Sequence, residues 1–344
     1  MNFKELLKKY DYAPPKELIA QSPANPRDSA RLLVYKKKEN KIYCDTFSNL
    51  YKYLPPKSLL VFNNTKVLPA RLPAKKETGG LVKLLYLGKH KNYLRFLSNR
   101  RLNSGGKIYI TPKIFFEIKQ KNNKEYLLKP SFKIKGILEI LEKYGEAPLP
   151  PYIKNTPLSR KQIKERYQAI FAEKIGSIAA PTASLHFTKN LFKKIRQSGH
   201  DIKFITLHVN LGTFAPLTEE NIKTRLLHEE YFEIDKKTAN LINKAKKERR
   251  PIIAVGTTAI RTLESAANNK GILKKLSGKT RLFIQKGYNF KIINGIITNF
   301  HVPKSSLLML AAAFASRDKI LKLYKKAIAE KFRFFSFGDG MLIY

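Results

Sequence analysis

The chain is poor in cysteine, in acidic residues and in long apolar runs, and each shortage excludes a class of protein. A single cysteine, Cys44, among 344 residues rules out a disulfide framework or a thiolate metal cage and suits a reducing cytoplasm. Cys44 itself reads as a small strand residue. No apolar run approaches the ~20 residues needed to cross a bilayer; the longest, SSLLMLAAAFAS at 305–316, has the length of a buried helix. The opening MNFKELLKKYDYAPP carries acidic side chains and turns into prolines without an apolar core, so it does not read as a signal peptide. Neither GxGxxG nor GxxxxGK(S/T) occurs, which weakens dinucleotide and Walker-type readings. The scattered imidazoles lack ligand spacing, so no metal is expected.

The shortage of acids leaves 26 Asp and Glu against 67 Lys and Arg, a net charge of +41. Such an excess attracts polyanions, and each phosphate contact releases condensed counterions, which favours nucleic acid as partner. The lysines are spread along the chain instead of forming a tail, so a generally basic solvated surface is the competing explanation.

What is present is a mixed α/β pattern. FKELLKKY reads as a short amphipathic helix and SLLVFNNTKVLPARL as a strand running into a polar turn. Between 76 and 147 the texture changes to short β-branched and aromatic runs such as GGLVKLLYLG, KNYLRFLSN and GKIYITP, separated by Gly, Asn and Lys. That is the pattern of a small all-β barrel inserted into a larger domain. PLPPYI at 148–153 is stiff, a return linker or the wall of a groove. Helices are expected over LSRKQIKERYQAIFAEK, with Ser159 as cap, and over FTKNLFKKIRQSG and EIDKKTANLINKAKKERR; strands over DIKFITLHV, PIIAV, TRLFIQKG, YNFKII and GIITNFHV. The fold class is therefore α/β: a large barrel-like mixed α/β domain, residues 1–75 and 148–344, with the small β-barrel at 76–147.

Chemistry concentrates where apolar strands end. GSIAAPTASLHF carries His186, and ITLHVNLGTF carries His208 and Thr213. TNFHVPKSS repeats the theme with Asn299 and His301, followed by a helix start at Pro303 and Ser305. AVGTTAIRTLES resembles a strand, tight turn and helix N-terminus, whose free N–H groups with Thr257 and Thr258 can bind an anion or a ribose hydroxyl. Arg261 and Glu264 follow three residues apart, as a local ion pair would. FNNTKVLPARL offers Asn63, Asn64, Thr65 and Arg71; the amides suit a base or ribose edge, and equally ordinary turn chemistry. LLHEEYFEI places His228 and Glu230 on one face of an extended segment. FRFFSFGDG crowds aromatics near Asp339. His90 and His200 sit in bland contexts and read as solvated.

These segments together resemble one family, the S-adenosylmethionine:tRNA ribosyltransferase-isomerases of queuosine biosynthesis. The stretches that carry the resemblance are RDSARLL, LLVFNNTKVLPARL, PLPPYI, RYQAIFAEKIGSIAAPTASLHFT, TLHVNLGTFAPL, HEEYFEI, AVGTTAIRTLES, TNFHVPKSSLLML and KFRFFSFGDG. They occur in family order over nearly the whole chain, with residues 76–145 matching only in β-rich character. The resemblance implies transfer of the ribosyl part of S-adenosylmethionine to 7-aminomethyl-7-deazaguanine in a tRNA with a GUN-type anticodon. The ribose is rearranged to an epoxycyclopentanediol, and adenine and methionine leave. S-adenosylmethionine is then a consumed co-substrate; no cofactor, no metal and no membrane are implied, and nothing forces an oligomer.

Set against that reaction, His186, His208 and His301 are the expected general acid–base residues, because one proton leaves the sulfonium-activated C5′ and the departing adenine must gain one. Thr213, Thr257, Thr258 and Asn299 would hold ribose or base edges. Glu230, Glu264 and Asp339 would offset the sulfonium or position a histidine, and Arg71 and Arg261 would meet the methionine carboxylate or a tRNA phosphate. Convergence of His186, His208, His301 and Thr257 on one cleft is the structural expectation. The chain departs from the family pattern at Lys83, Asn210, Gln285-Lys286 and Asn294. Two other readings compete: a non-catalytic RNA-binding protein, and an S-adenosylmethionine-dependent RNA methyltransferase, whose usual Gly-rich first turn is missing here.

Overall fold

The apolar runs become the strands of one nine-stranded sheet. The structure, a computed structural model, describes residues 2–122, 125–210 and 216–344. Across the sheet the order is Ser277–Leu282, Leu226–Glu233, Asp201–Leu207, Leu59–Asn63, Ile252–Val255, Gly295–Asn299, Gly340–Ile343, Arg31–Lys36 and Lys41–Thr46. The four strands from Asp201–Leu207 to Gly295–Asn299 run parallel. The three of them at the centre of the sheet are buried at every position, as strands covered on both faces must be. Alternate residues feed opposite layers. Val61 and Ala254 pack with the helices Lys236–Lys247, Thr257–Ala266, Ser306–Ala315 and Arg317–Ala329. Leu60, Phe62, Ile253 and Val255 pack with Phe47 and the helix Lys189–Gln197.

The insert is a closed six-stranded antiparallel barrel in the order Glu125–Pro130, Tyr93–Ser98, Leu81–His90, Arg71–Lys76, Lys107–Thr111 and Ile114–Asn122. The mixed α/β class with an inserted all-β barrel is thus what the structure shows. Closure belongs to the insert, since the large sheet ends in two edge strands. The barrel's core already includes Ala70 and Leu72 and extends to Ile137 and Leu141 on the helix Ile137–Tyr144. It therefore starts ahead of residue 76: Arg71–Lys76 continues an apolar run and is hard to separate from it in sequence.

Three local expectations change. The helix capped by Ser159 stops at Arg166; Gln168 then donates from Nε2 to Val67 O (2.8 Å) and accepts from Val67 N at Oε1 (3.0 Å), acting as a one-residue strand partner. YNFKII forms no strand, because the Glu264 carboxylate takes the N–H groups of Lys291, Ile292 and Ile293. His200 is buried, its Nδ1 accepting from Ser58 N at 3.1 Å. Residues 305–316 do form the buried helix expected of them, and among the described residues no helix is long and apolar enough to cross a membrane.

Candidate active site

Every central parallel strand releases its chain at the same edge of the sheet. Val255 runs into Gly256 and the helix Thr257–Ala266; Asn299 runs into His301, Pro303 and the helix Ser306–Ala315; Leu207 runs into Val209. Open α/β sheets bind ligands beyond these carboxyl ends. Here a cavity of ≈ 370 Å³ lies there, lined by residues 179–183, 256–258 and 298–305 with Val209, Leu217, Phe335 and Ser336. Pro151 and Tyr152 of PLPPYI form part of its wall, and Tyr152 Oη lies 2.6 Å from Ser336 Oγ. The walls are mostly apolar, with hydroxyl, amide and imidazole groups converging from three strand ends. Among the described lining residues there is no Asp or Glu, and the one cation, Lys304, is paired with Asp11 at 2.7 Å.

His301 is the imidazole that lines the cavity. Its Nε2 is 2.8 Å from Thr298 Oγ1, its backbone N–H donates to Tyr324 Oη at 2.8 Å, and Tyr12 Oη donates to its carbonyl. Burial pushes its pKa down from 6.5 to about 3, so it is neutral at physiological pH. Asn299 beside it is held on both ends of its amide. Nδ2 faces His186 Nε2 at 3.2 Å and the carbonyls of Phe335 (3.3 Å) and Asp339 (3.4 Å), while Oδ1 accepts from Thr182 Oγ1 at 3.0 Å.

His186 does not line the cavity. It stands behind Asn299, its ring stacked on Phe47 with centroids 4.2 Å apart. Burial, then the positive charges of Arg333 and Arg27, lower its pKa to about 3. His208 turns away: its Nδ1 is 2.9 Å from Thr65 Oγ1, which in turn is 2.8 Å from Ser177 Oγ. Burial lowers its pKa as well. The expected convergence therefore holds for His301 and Thr257, reaches His186 only through Asn299, and fails for His208.

Several other expected residues serve the scaffold. Asn63 joins two strands, donating to Leu207 O (2.9 Å) and accepting from Leu207 N (3.0 Å) and Thr65 N (3.1 Å). Asn64 accepts from Thr206 Oγ1 at 2.7 Å and faces Glu173. Arg71 donates to Leu149 O at 3.1 Å, tying the barrel to the PLPPYI linker. His228 is exposed on its strand. Glu230 and Arg261 form a buried ion pair outside the lining, and Arg261 meets Glu230 instead of Glu264. Glu264 is fully buried and accepts from Tyr288 Oη (3.0 Å) in addition to its three backbone donors. Asp339 accepts from Arg31 N (3.0 Å) and Arg333 N (2.8 Å) and pairs with the Arg333 guanidinium. None of these three carboxylates is among the described residues that line the cavity. Thr213 lies outside the described residues.

Tyr152, Thr182, Thr298 and Ser336 line the cavity without having been singled out; Thr182 and Thr298 sit inside the two histidine segments, which was the available signal. Asn210 donates from Nδ2 to Glu229 O at 2.9 Å, and Asn294 accepts from Ile252 N at 3.0 Å, so both departures have local structural uses. Among the described residues no group of His, Cys, Asp and Glu is placed to hold a metal ion.

Comparison with known proteins identifies the family. A family model described as "Queuosine biosynthesis protein" matches residues 7–343. The S-adenosylmethionine:tRNA ribosyltransferase-isomerase of Carboxydothermus hydrogenoformans is 48% identical over 343 residues, 98% of this chain and 99% of that one. The protein of the same name from a Sulfurihydrogenibium species is 46% identical over 341 residues, covering 98% and 99%. The crystal structure of S-adenosylmethionine tRNA ribosyltransferase from Thermotoga maritima is similar at 29% identity and a TM-score of 0.55, covering 98% of this chain and 100% of that one. With a family model matching residues 7–343 and relatives 46–48% identical over 98% of its length, the chain belongs to the queuosine biosynthesis family of S-adenosylmethionine:tRNA ribosyltransferase-isomerases.

Proposed function

We propose that this enzyme transfers the ribosyl part of S-adenosylmethionine to the aminomethyl group of 7-aminomethyl-7-deazaguanine in tRNA and isomerises it, giving epoxyqueuosine-tRNA, adenine and methionine. The observation that carries this is the cavity at the strand ends. It is large enough for a nucleoside-sized ligand, mostly apolar, and furnished with a neutral imidazole, a fixed amide and a helix N-terminus.

His301 is the proton carrier in this reading. The sulfonium acidifies C5′–H, and the neutral imidazole accepts that proton although burial makes it a weak base in the free enzyme. The imidazolium so formed, in a site that disfavours it, is a strong acid able to hand the proton to the departing adenine. Thr298 holds Nε2, which leaves Nδ1 as the exchanging nitrogen. Asn299 Oδ1 offers an acceptor to the ligand, and His186 acts by holding Asn299. S-adenosylmethionine is consumed, and no cofactor enters these steps. The second substrate is a tRNA with a GUN-type anticodon, drawn by the net charge of +41; the enzyme works in the cytoplasm as a monomer.

Incubation with S-adenosylmethionine and tRNA carrying the aminomethyl-deazaguanine tests the proposal. Release of adenine and methionine in step with epoxyqueuosine is expected. S-adenosylhomocysteine as product would make the enzyme a methyltransferase, and binding without turnover would leave an RNA-binding protein.

A further inference from the structure

Among the described residues two α-helices begin at the cavity, and they differ in whether their first N–H groups are free. Ser306–Ala315 is capped: Ser305 Oγ accepts from Leu308 N at 3.2 Å. The ten-residue helix Thr257–Ala266 has no side-chain cap; its N-cap position is Gly256, at φ +87°. The leading amides of a helix have no intrahelical acceptor, and they carry the positive end of the helix dipole. A second observation points to the same spot. Thr258 is 5% exposed, and its Oγ1 is buried with no hydrogen-bond partner. That oxygen points back toward the helix start, 3.8 Å from where a Cβ on Gly256 would stand. Gly256, Thr257 and Thr258 all line the cavity. An unpaired buried hydroxyl beside uncapped amides is costly unless a ligand completes it.

We propose that the α-carboxylate of the methionyl part of S-adenosylmethionine sits on this helix N-terminus, accepting from the N–H groups of Thr257, Thr258 and Ala259 and from Thr258 Oγ1. The assignment rests on S-adenosylmethionine being the co-substrate and orients it in the cavity. The cationic alternatives are placed otherwise: Lys304 is paired with Asp11, Arg71 serves Leu149 O, and Arg261, which meets Glu230 through Nη1, is not among the described residues lining the cavity. The absence of Asp and Glu from the described lining residues removes any repulsion against a carboxylate. Backbone amides recognise the anion without a counter-charge that would compete with the neighbouring sulfonium.

Titration calorimetry with tRNA that lacks the aminomethyl-deazaguanine, so that no turnover occurs, tests this, using S-adenosylmethionine and its decarboxylated analogue on wild type, Thr258→Val and Thr258→Ser. Wild type is expected to prefer the carboxylate-bearing ligand by about 10- to 100-fold. Thr258→Val should cut that preference about tenfold while leaving affinity for the decarboxylated ligand within about twofold, and Thr258→Ser should restore it. Equal affinity of wild type for both ligands, or equal weakening of both by Thr258→Val, overturns the subsite while ribosyl transfer stands. If wild type binds neither ligand, both the subsite and the co-substrate reading fall.

Discussion

The side-chain amide of Asn299 donates toward His186 Nε2, 3.2 Å away, and toward the carbonyls of Phe335 and Asp339. The two carbonyls can only accept, so they fix which end of the amide is Nδ2. His186 must then accept as well, and its single proton resides on Nδ1. A protonated His186 would face an N–H with an N–H. This relationship makes His186 a positioning residue: it fixes an amide whose oxygen is presented to the ligand.

His186→Phe keeps the stack on Phe47 and removes the acceptor. The expected result is a roughly tenfold loss of kcat/KM with tRNA affinity unchanged and the pH profile unaltered. His186→Gln, which retains an acceptor, should recover part of the loss. A new limb in the pH profile of His186→Phe would show instead that His186 exchanges protons itself.

The three histidines separate by location. His301→Ala should lower the single-turnover rate by about 100-fold or more, the usual cost of losing a general acid–base group. His208→Ala should cost less than tenfold in rate per folded molecule, because its ring serves Thr65 and Ser177. A near-normal rate in His301→Ala would sink the assignment of His301 as proton carrier.

Burial also links His186 and His301 to stability. Their folded pKa values, about 3 each, lie below the ordinary 6.5, so the unfolded chain binds more protons between those limits. Stability is therefore fullest above pH ~6.5 and is lost as pH falls toward ~3, by about 1.4 kcal/mol per pH unit for each histidine. Urea titrations at pH 7.5, 6 and 5 read this slope. His200 and His208, whose pKa values burial also lowers, add to the slope; His186→Phe should make it shallower by one histidine's share, and an unchanged slope would contradict this.

Glu264 is a structural carboxylate. Its oxygens hold Tyr288 and the backbone of 291–293. Glu264→Gln turns one acceptor into a donor aimed at donors and should cost about 3 kcal/mol. Urea unfolding measures this, and rates normalised to folded enzyme should change little. A selective rate loss at full stability would place Glu264 in catalysis after all.

Much of this protein follows from residue order alone. The branched apolar runs at 59–63, 252–255 and 295–299 specify strands buried on both faces, and the break in texture after residue 76 specifies a β-rich insert. Placing His, Asn and Thr just past apolar strands puts them at one edge of the sheet, since parallel strands all end there. What sequence could not decide is where each of those side chains points. Leu207 N and O need partners, and Asn63 is drawn to them; three amides at 291–293 need an acceptor, and Glu264 turns inward to supply it. His208 is held by Thr65 while Val209, the next residue, faces the cavity. Unpaired backbone groups are too costly to bury, so the tertiary structure recruits whichever nearby polar side chain can reach them. Of the residues expected from sequence, His301, Asn299, Thr257 and Thr258 are left to face the ligand, joined by Tyr152, Thr182, Thr298 and Ser336.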